Sequence, residues 1–180
     1  FSTESESVSE TDCTDCAAGK HVDVAGSDAA SDCIDCVAGK YVDVTGSDDA
    51  TDCIPCSEGT YVATAGSAQA SECIGCATGK YVDTTGSSSH LQCIDCPAGK
   101  LVSLTGSDAL SDCVDCTAGK WSDTVGSSST TDCINCAVGK WVGTTGNVAA
   151  GDCIDCIAGK LQCTIVFEYL YSNTRTKALF

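Results

Sequence analysis

The sequence contains no methionine and only two prolines, two tryptophans and two histidines, and aromatic residues make up 6% of its 180 positions. So few large apolar side chains cannot fill one sizeable core. Lys and Arg together number 9 against 25 Asp and Glu, which leaves a net charge of −16 and a pI near 4.1. That balance repels nucleic acid and anionic lipid and leaves calcium or basic partners open. No apolar run is long enough for a membrane span, and no signal peptide is present to be read. The three asparagines, Asn135, Asn147 and Asn173, all lack a hydroxyl residue two places on, so N-glycosylation is not expected. Catalysis has no constellation either. His21 and His90 occupy unlike positions, and the many serines sit in turns with no histidine recurring beside them. The chain reads as a non-enzyme without a cofactor.

What the chain does have is 17 cysteines and 18 glycines. A cysteine fraction of this size marks disulfide scaffolds of oxidising, extracellular compartments. The cysteines fall in C-x2-C pairs on a strict twenty-residue period, from Cys13 and Cys16 to Cys153 and Cys156, in eight copies without an insertion. Such periods belong to linear arrays whose units contact mainly their neighbours. The expected organisation is an acidic, Ser-rich leader at 1–10, a tandem array at 11–160 with its last copy truncated, and a non-repeat tail or cap at 161–180. With Phe1 first and no methionine anywhere, the sequence looks like a processed or partial chain. The expected fold is a small, disulfide-rich, mainly β, elongated rod of strand-turn repeats.

Each further column of the repeat has a physical reading. Glycine recurs in two fixed columns, represented by Gly39 and Gly46, which suggests positive φ or close approach of backbone. Between them runs a segment such as "KYVDVT", rich in β-branched residues, which reads as a strand. The residue two places after the first glycine is usually aromatic (Tyr41, Tyr61, Tyr81, Trp121, Trp141) and is the expected stacked core. The residue between each cysteine pair (Ile34, Ile54, Ile74, Ile94, Val114, Ile134, Ile154) is the second expected apolar column. Stretches such as "GSDAAS" supply turn chemistry, and helices of any length are not expected.

The cysteine pairs admit three chemistries. A zinc ribbon has the right ligand spacing, but four thiolates per metal would consume two repeats, and odd and even copies show no alternation. A thioredoxin-type redox pair needs an α/β domain, which this composition does not supply. A disulfide ladder has a simple bookkeeping if the second cysteine of each pair bonds the first of the next: Cys16 with Cys33, Cys36 with Cys53, Cys56 with Cys73, Cys76 with Cys93, Cys96 with Cys113, Cys116 with Cys133, and Cys136 with Cys153. Cys156 would then have Cys163 as its partner, and Cys13 would stay unpaired or bond another chain. Asp35, Asp95, Asp115 and Asp155 could form carboxylate rows that take up calcium, although no calcium-loop pattern is present. A row of lysines offsets part of that charge. Hydroxyl clusters such as "GSSSTT" are open to O-linked glycans as well as to plain turns.

The stretch "CIDCVAGKYVDVTGSDDATDC" resembles the ephrin-receptor-like cysteine-rich repeat and is similar to tumour necrosis factor receptor modules, which share its Cys-x-x-Gly-x-Tyr core. The likeness runs from Cys13 to Lys160. It implies an extracellular, secreted or cell-surface location, a disulfide-linked rod and the second-to-first pairing set out above. The repeats here are uniform in length, whereas receptor repeats vary. The expected function is therefore an extracellular structural rod that self-associates into a filament or surface fibre. The alternative is a ligand-binding or antigenic ectodomain of a receptor-like surface protein.

Overall fold

The computed structural model describes residues 13–158. Within them the chain builds seven two-stranded antiparallel hairpins, each made of two-residue strands. The first pairs Lys20–His21 with Ile34–Asp35, so that His21 stands opposite Ile34. The last pairs Lys140–Trp141 with Ile154–Asp155 in the same register. The connection within each hairpin carries a three-residue 3-10 turn, such as Ala50–Asp52. An aspartate ends most of these turns and holds them together: the Asp52 carboxylate accepts the backbone N–H groups of Asp48 and Asp49 at 3.2 and 3.3 Å. This is the capping-box use of an acidic residue at the third position.

The strands are far shorter than the six-residue segment the β-branched pattern suggests. After two residues the backbone leaves its own hairpin and bonds to the next repeat. The N–H of Val22 donates to the carbonyl of Ser47 at 3.1 Å, and His21 forms a parallel bridge with Ser47. The same step recurs from Tyr41 to Ser67 and on to Trp121 with Asn147. A second stitch runs backward, from the N–H of Gly46 to the carbonyl of Cys16 at 2.9 Å. Backbone polarity is thus satisfied between repeats as well as within them, and this joins the hairpins into one linear array.

Close approach reaches the second neighbour as well. Gly39 has φ +92°, and a Cβ placed on it would overlap the carbonyl of Gly86. Only glycine meets both demands, the left-handed backbone and the missing side chain.

The core is a chain of small nuclei, each centred on a disulfide. In one, Cys36, Val42 and Cys53 are 0, 1 and 3% exposed. In another, Tyr81 packs against Val102 and the Cys96–Cys113 bridge. After the half-cystines, the valine that follows the aromatic column is the apolar residue most fully enclosed in the second, third and fourth repeats, as Val42, Val62 and Val82 show. The column between the cysteines behaves otherwise: Ile34, Ile54, Ile74, Ile94, Val114, Ile134 and Ile154 are all exposed. The expected second core column therefore lies on the surface. Its residues pair with the aromatic column through backbone, while their side chains are left in solvent. The aromatic column is only partly enclosed: Tyr81 and Leu101 are buried, while Tyr41, Tyr61, Trp121 and Trp141 are half-buried.

Candidate functional site: the disulfide ladder and the loop face

Seven disulfides close the array: Cys16–Cys33, Cys36–Cys53, Cys56–Cys73, Cys76–Cys93, Cys96–Cys113, Cys116–Cys133 and Cys136–Cys153. Their Cα–Cα distances lie between 5.7 and 5.8 Å, an ordinary span for the bond. Each bond closes a loop with a sequence separation of 17, and three of them, Cys36–Cys53, Cys76–Cys93 and Cys96–Cys113, sit against the buried Val42, Val82 and Val102 of their loops. Cys13 is a free, exposed thiol. Cys156 is itself disulfide-bonded, and Cys163 lies outside the described residues.

One group of side chains has the proximity of a metal site. His21, Cys36 and Cys53 are all buried, with potential ligand atoms within 4.8 Å of one another. The two sulfurs are bonded to each other, however, and His21 Nδ1 lies 3.7 Å from Cys53 Sγ. Metal ligation needs thiolates, which a disulfide does not offer. The same reasoning sets aside the ribbon-zinc reading for the fourteen cysteines of the seven rungs.

The acidic columns divide by what they touch. Asp35, Asp95, Asp115 and Asp155 accept from Lys20, Lys80, Lys100 and Lys140 across the hairpin at 2.6, 2.5, 2.6 and 2.8 Å. All four pairs are well exposed, so each contributes at most about 1 kcal/mol. Hydrogen bonds from Lys100, and then from Thr145, hold the Asp115 carboxyl below its usual range. The backbone N–H of Thr51 does the same for Asp49. Asp32, Asp112, Asp132 and Asp152 are occupied with the N–H groups of their own turns. The carboxylates Asp23, Asp28, Asp43, Asp48 and Asp108 are exposed and make no ion pair with a lysine among the described residues.

Two shallow cavities lie on the loops that the disulfides enclose. One, of about 440 Å³, has Val22, Val24 and Ile34 as its apolar wall and Asp23, Asp28 and Asp32 as its acidic one. The other, of about 450 Å³, repeats the arrangement with Val102, Leu104 and Val114 against Asp108 and Asp112. They occupy the same columns four repeats apart. The exposed Ile34 and Val114 thus form one wall of a groove. Sequence reading missed these grooves, because the alternating pattern says nothing about which loop residues a disulfide brings face to face.

Tandem hairpins, each closed by a disulfide and stitched to the next, define a cysteine-rich repeat protein of the kind built for an oxidising, extracellular or cell-surface setting. Residues 39–93, which include the Cys56–Cys73 and Cys76–Cys93 rungs, match the family described as tyrosine-protein kinase ephrin type A/B receptor-like. Residues 39–93 are thus similar to ephrin-receptor-like cysteine-rich repeats, and the disulfide ladder continues with the same spacing on both sides of the matched segment. No curated protein matches the chain significantly. No helix among the described residues is long and apolar enough to cross a membrane.

Proposed function

We propose that the chain is a non-catalytic, ligand-binding ectodomain of a receptor-like surface or secreted protein. The match of residues 39–93 to the ephrin-receptor-like family carries this reading, since a repeat of that type points to a receptor-like ectodomain. A ladder of disulfides supports it physically. A chain with small separate nuclei keeps a fixed shape outside the cell through covalent closure, and so can present loop faces to a partner.

A second reading is a structural rod that self-associates into a filament, with O-linked sugar on its hydroxyl-rich turns. The repeat-to-repeat uniformity and the row of exposed isoleucines favour it. A net charge of −16 per copy opposes it. Labelling of intact cells with a membrane-impermeant reagent, followed by sedimentation of the purified oxidised protein over a concentration series, tests both. Surface labelling with a monomeric protein at all concentrations is the expected result. Concentration-dependent filaments would favour the rod, and protein reachable only after permeabilisation would overturn both readings.

A further inference from the structure

Two positions on the loop face vary together along the array. In the first, second and fifth hairpins the residue five places after the first glycine is apolar and the residue nine places after it is aspartate: Val24 with Asp28, Val44 with Asp48, and Leu104 with Asp108. In the remaining described hairpins the first of these positions is threonine and the second is not acidic, as with Thr64 and Ala68 or Thr84 and Ser88. Thr124 with Ser128 and Thr144 with Val148 complete that set.

Threonine suits the turn on its own terms. The Thr144 hydroxyl donates to the Asn147 side chain at 2.8 Å, and the Thr84 and Ser87 hydroxyls lie 3.5 Å apart. The apolar class is less content. Val24, Val44 and Leu104 are 65, 56 and 73% exposed, which leaves bulky side chains in water beside carboxylates without a cationic partner. The buried hydroxyl of Ser47, in the column that lines both described cavities, has no hydrogen-bond partner. The fold therefore does not require this residue pair, since four hairpins close without it.

We infer that the grooves of the first and fifth repeats, built on Val24–Asp28 and Leu104–Asp108, and the same residue pair in the second repeat, Val44–Asp48, bind an extended segment of a basic partner in which a bulky apolar side chain stands next to a lysine or arginine. This rests on the ectodomain reading and names the chemistry of its ligand. Each described groove offers an apolar wall for one bulky side chain and a carboxylate rim for the neighbouring cation. Its volume suits one or two side chains and not a folded domain. A second copy of this chain is the poorer occupant, because it would bring the same acidic rim, and four of the six lysines among the described residues, Lys20, Lys80, Lys100 and Lys140, are already paired.

The test uses methyl-labelled, oxidised full chain and the peptide acetyl-Lys-Leu-Lys-Leu-Lys-amide, followed by NMR. Shifts are expected at the methyls of Val24, Val44 and Leu104, with little change at Val62, Val82 or Val142. Replacing the peptide's leucines by serine, or its lysines by glutamate, should abolish the site-selective shifts. Asp108→Ser should weaken binding at the fifth repeat about two- to fivefold, the range of one exposed ion pair. Leu104→Thr with Asp108→Ser should remove that site and leave the first two repeats unchanged. Thr84→Val with Ser88→Asp should create a new site in the fourth. Uniform shifts along the array, equal binding of the Lys-Ser peptide, or no binding of any peptide would overturn the proposal. So would methyl shifts that follow protein concentration alone, since the occupant would then be a second copy. The location of the protein is read separately by surface labelling, so failure of the groove does not pass for failure of the ectodomain reading.

Discussion

Replacing Cys96 and Cys113 together by alanine removes one rung from the middle of the ladder. The bond has a sequence separation of 17, for which the chain-entropy account gives about 3 kcal/mol. Tyr81 and Val102 pack on that bridge, so its loss also opens the small nucleus they form with it. In a linear array this cost is confined to the affected unit and its neighbours. Amide hydrogen exchange reads it directly. The N–H groups of Gly99, Val102 and Cys116, bonded to Ser122, Ser127 and Gly99 at 2.8, 3.1 and 2.8 Å, should exchange about a hundredfold faster than in the parent protein. The N–H of Gly19, bonded to Val42 at 2.8 Å several repeats away, should keep its protection. Equal loss at Gly19 and Gly99 would refute the reasoning, because it would mean that the array unfolds as one cooperative body. Unchanged exchange at Gly99 would refute it in the opposite sense, by showing that the inter-repeat hydrogen bonds alone hold the unit.

Two further outcomes are expected. Gly26→Ala and Gly39→Ala both place an L-residue at positive φ, at a cost of about 1–2 kcal/mol each, but only Gly39 also faces a carbonyl, that of Gly86, while nothing lies near Gly26. Denaturant unfolding should show Gly39→Ala as clearly the more destabilised, and equal effects would contradict the close packing of repeats two apart. The Asp115 carboxyl is held below its usual value of 3.8 by Lys100 and Thr145, so its contribution to stability is present above that pH and is lost as the pH falls through the lower folded value. Carboxyl NMR titration of the parent and of Lys100→Met should show the Asp115 midpoint rising toward 3.8 in the variant, and no movement would mean the ion pair is absent in solution.

The period, the cysteine columns and the two glycine columns are written in the sequence because they answer local demands. A bond between cysteines needs fixed spacing, a left-handed turn needs glycine as at Gly39, and a 3-10 turn needs a side-chain acceptor such as Asp52 to hold its first N–H groups. These features made the strand-turn repeat and its disulfide rungs readable from sequence, while the second strand that makes each repeat a hairpin was not. Which apolar column lies inside was not readable. Each strand is only two residues long, so the alternation that normally separates the two faces has no length over which to act. Tertiary structure decided it. The N–H of Val42 reaches the carbonyl of Ser67 in the next repeat, which draws the valine against the Cys36–Cys53 bridge, and Ile34 is left outside as the wall of a groove. The coupling of Val24 with Asp28 and of Leu104 with Asp108 stood in the sequence throughout. Only the closure of each loop by its disulfide gave those residues a common surface, because residues four apart on a turn have no fixed relation until the chain ends around them are joined.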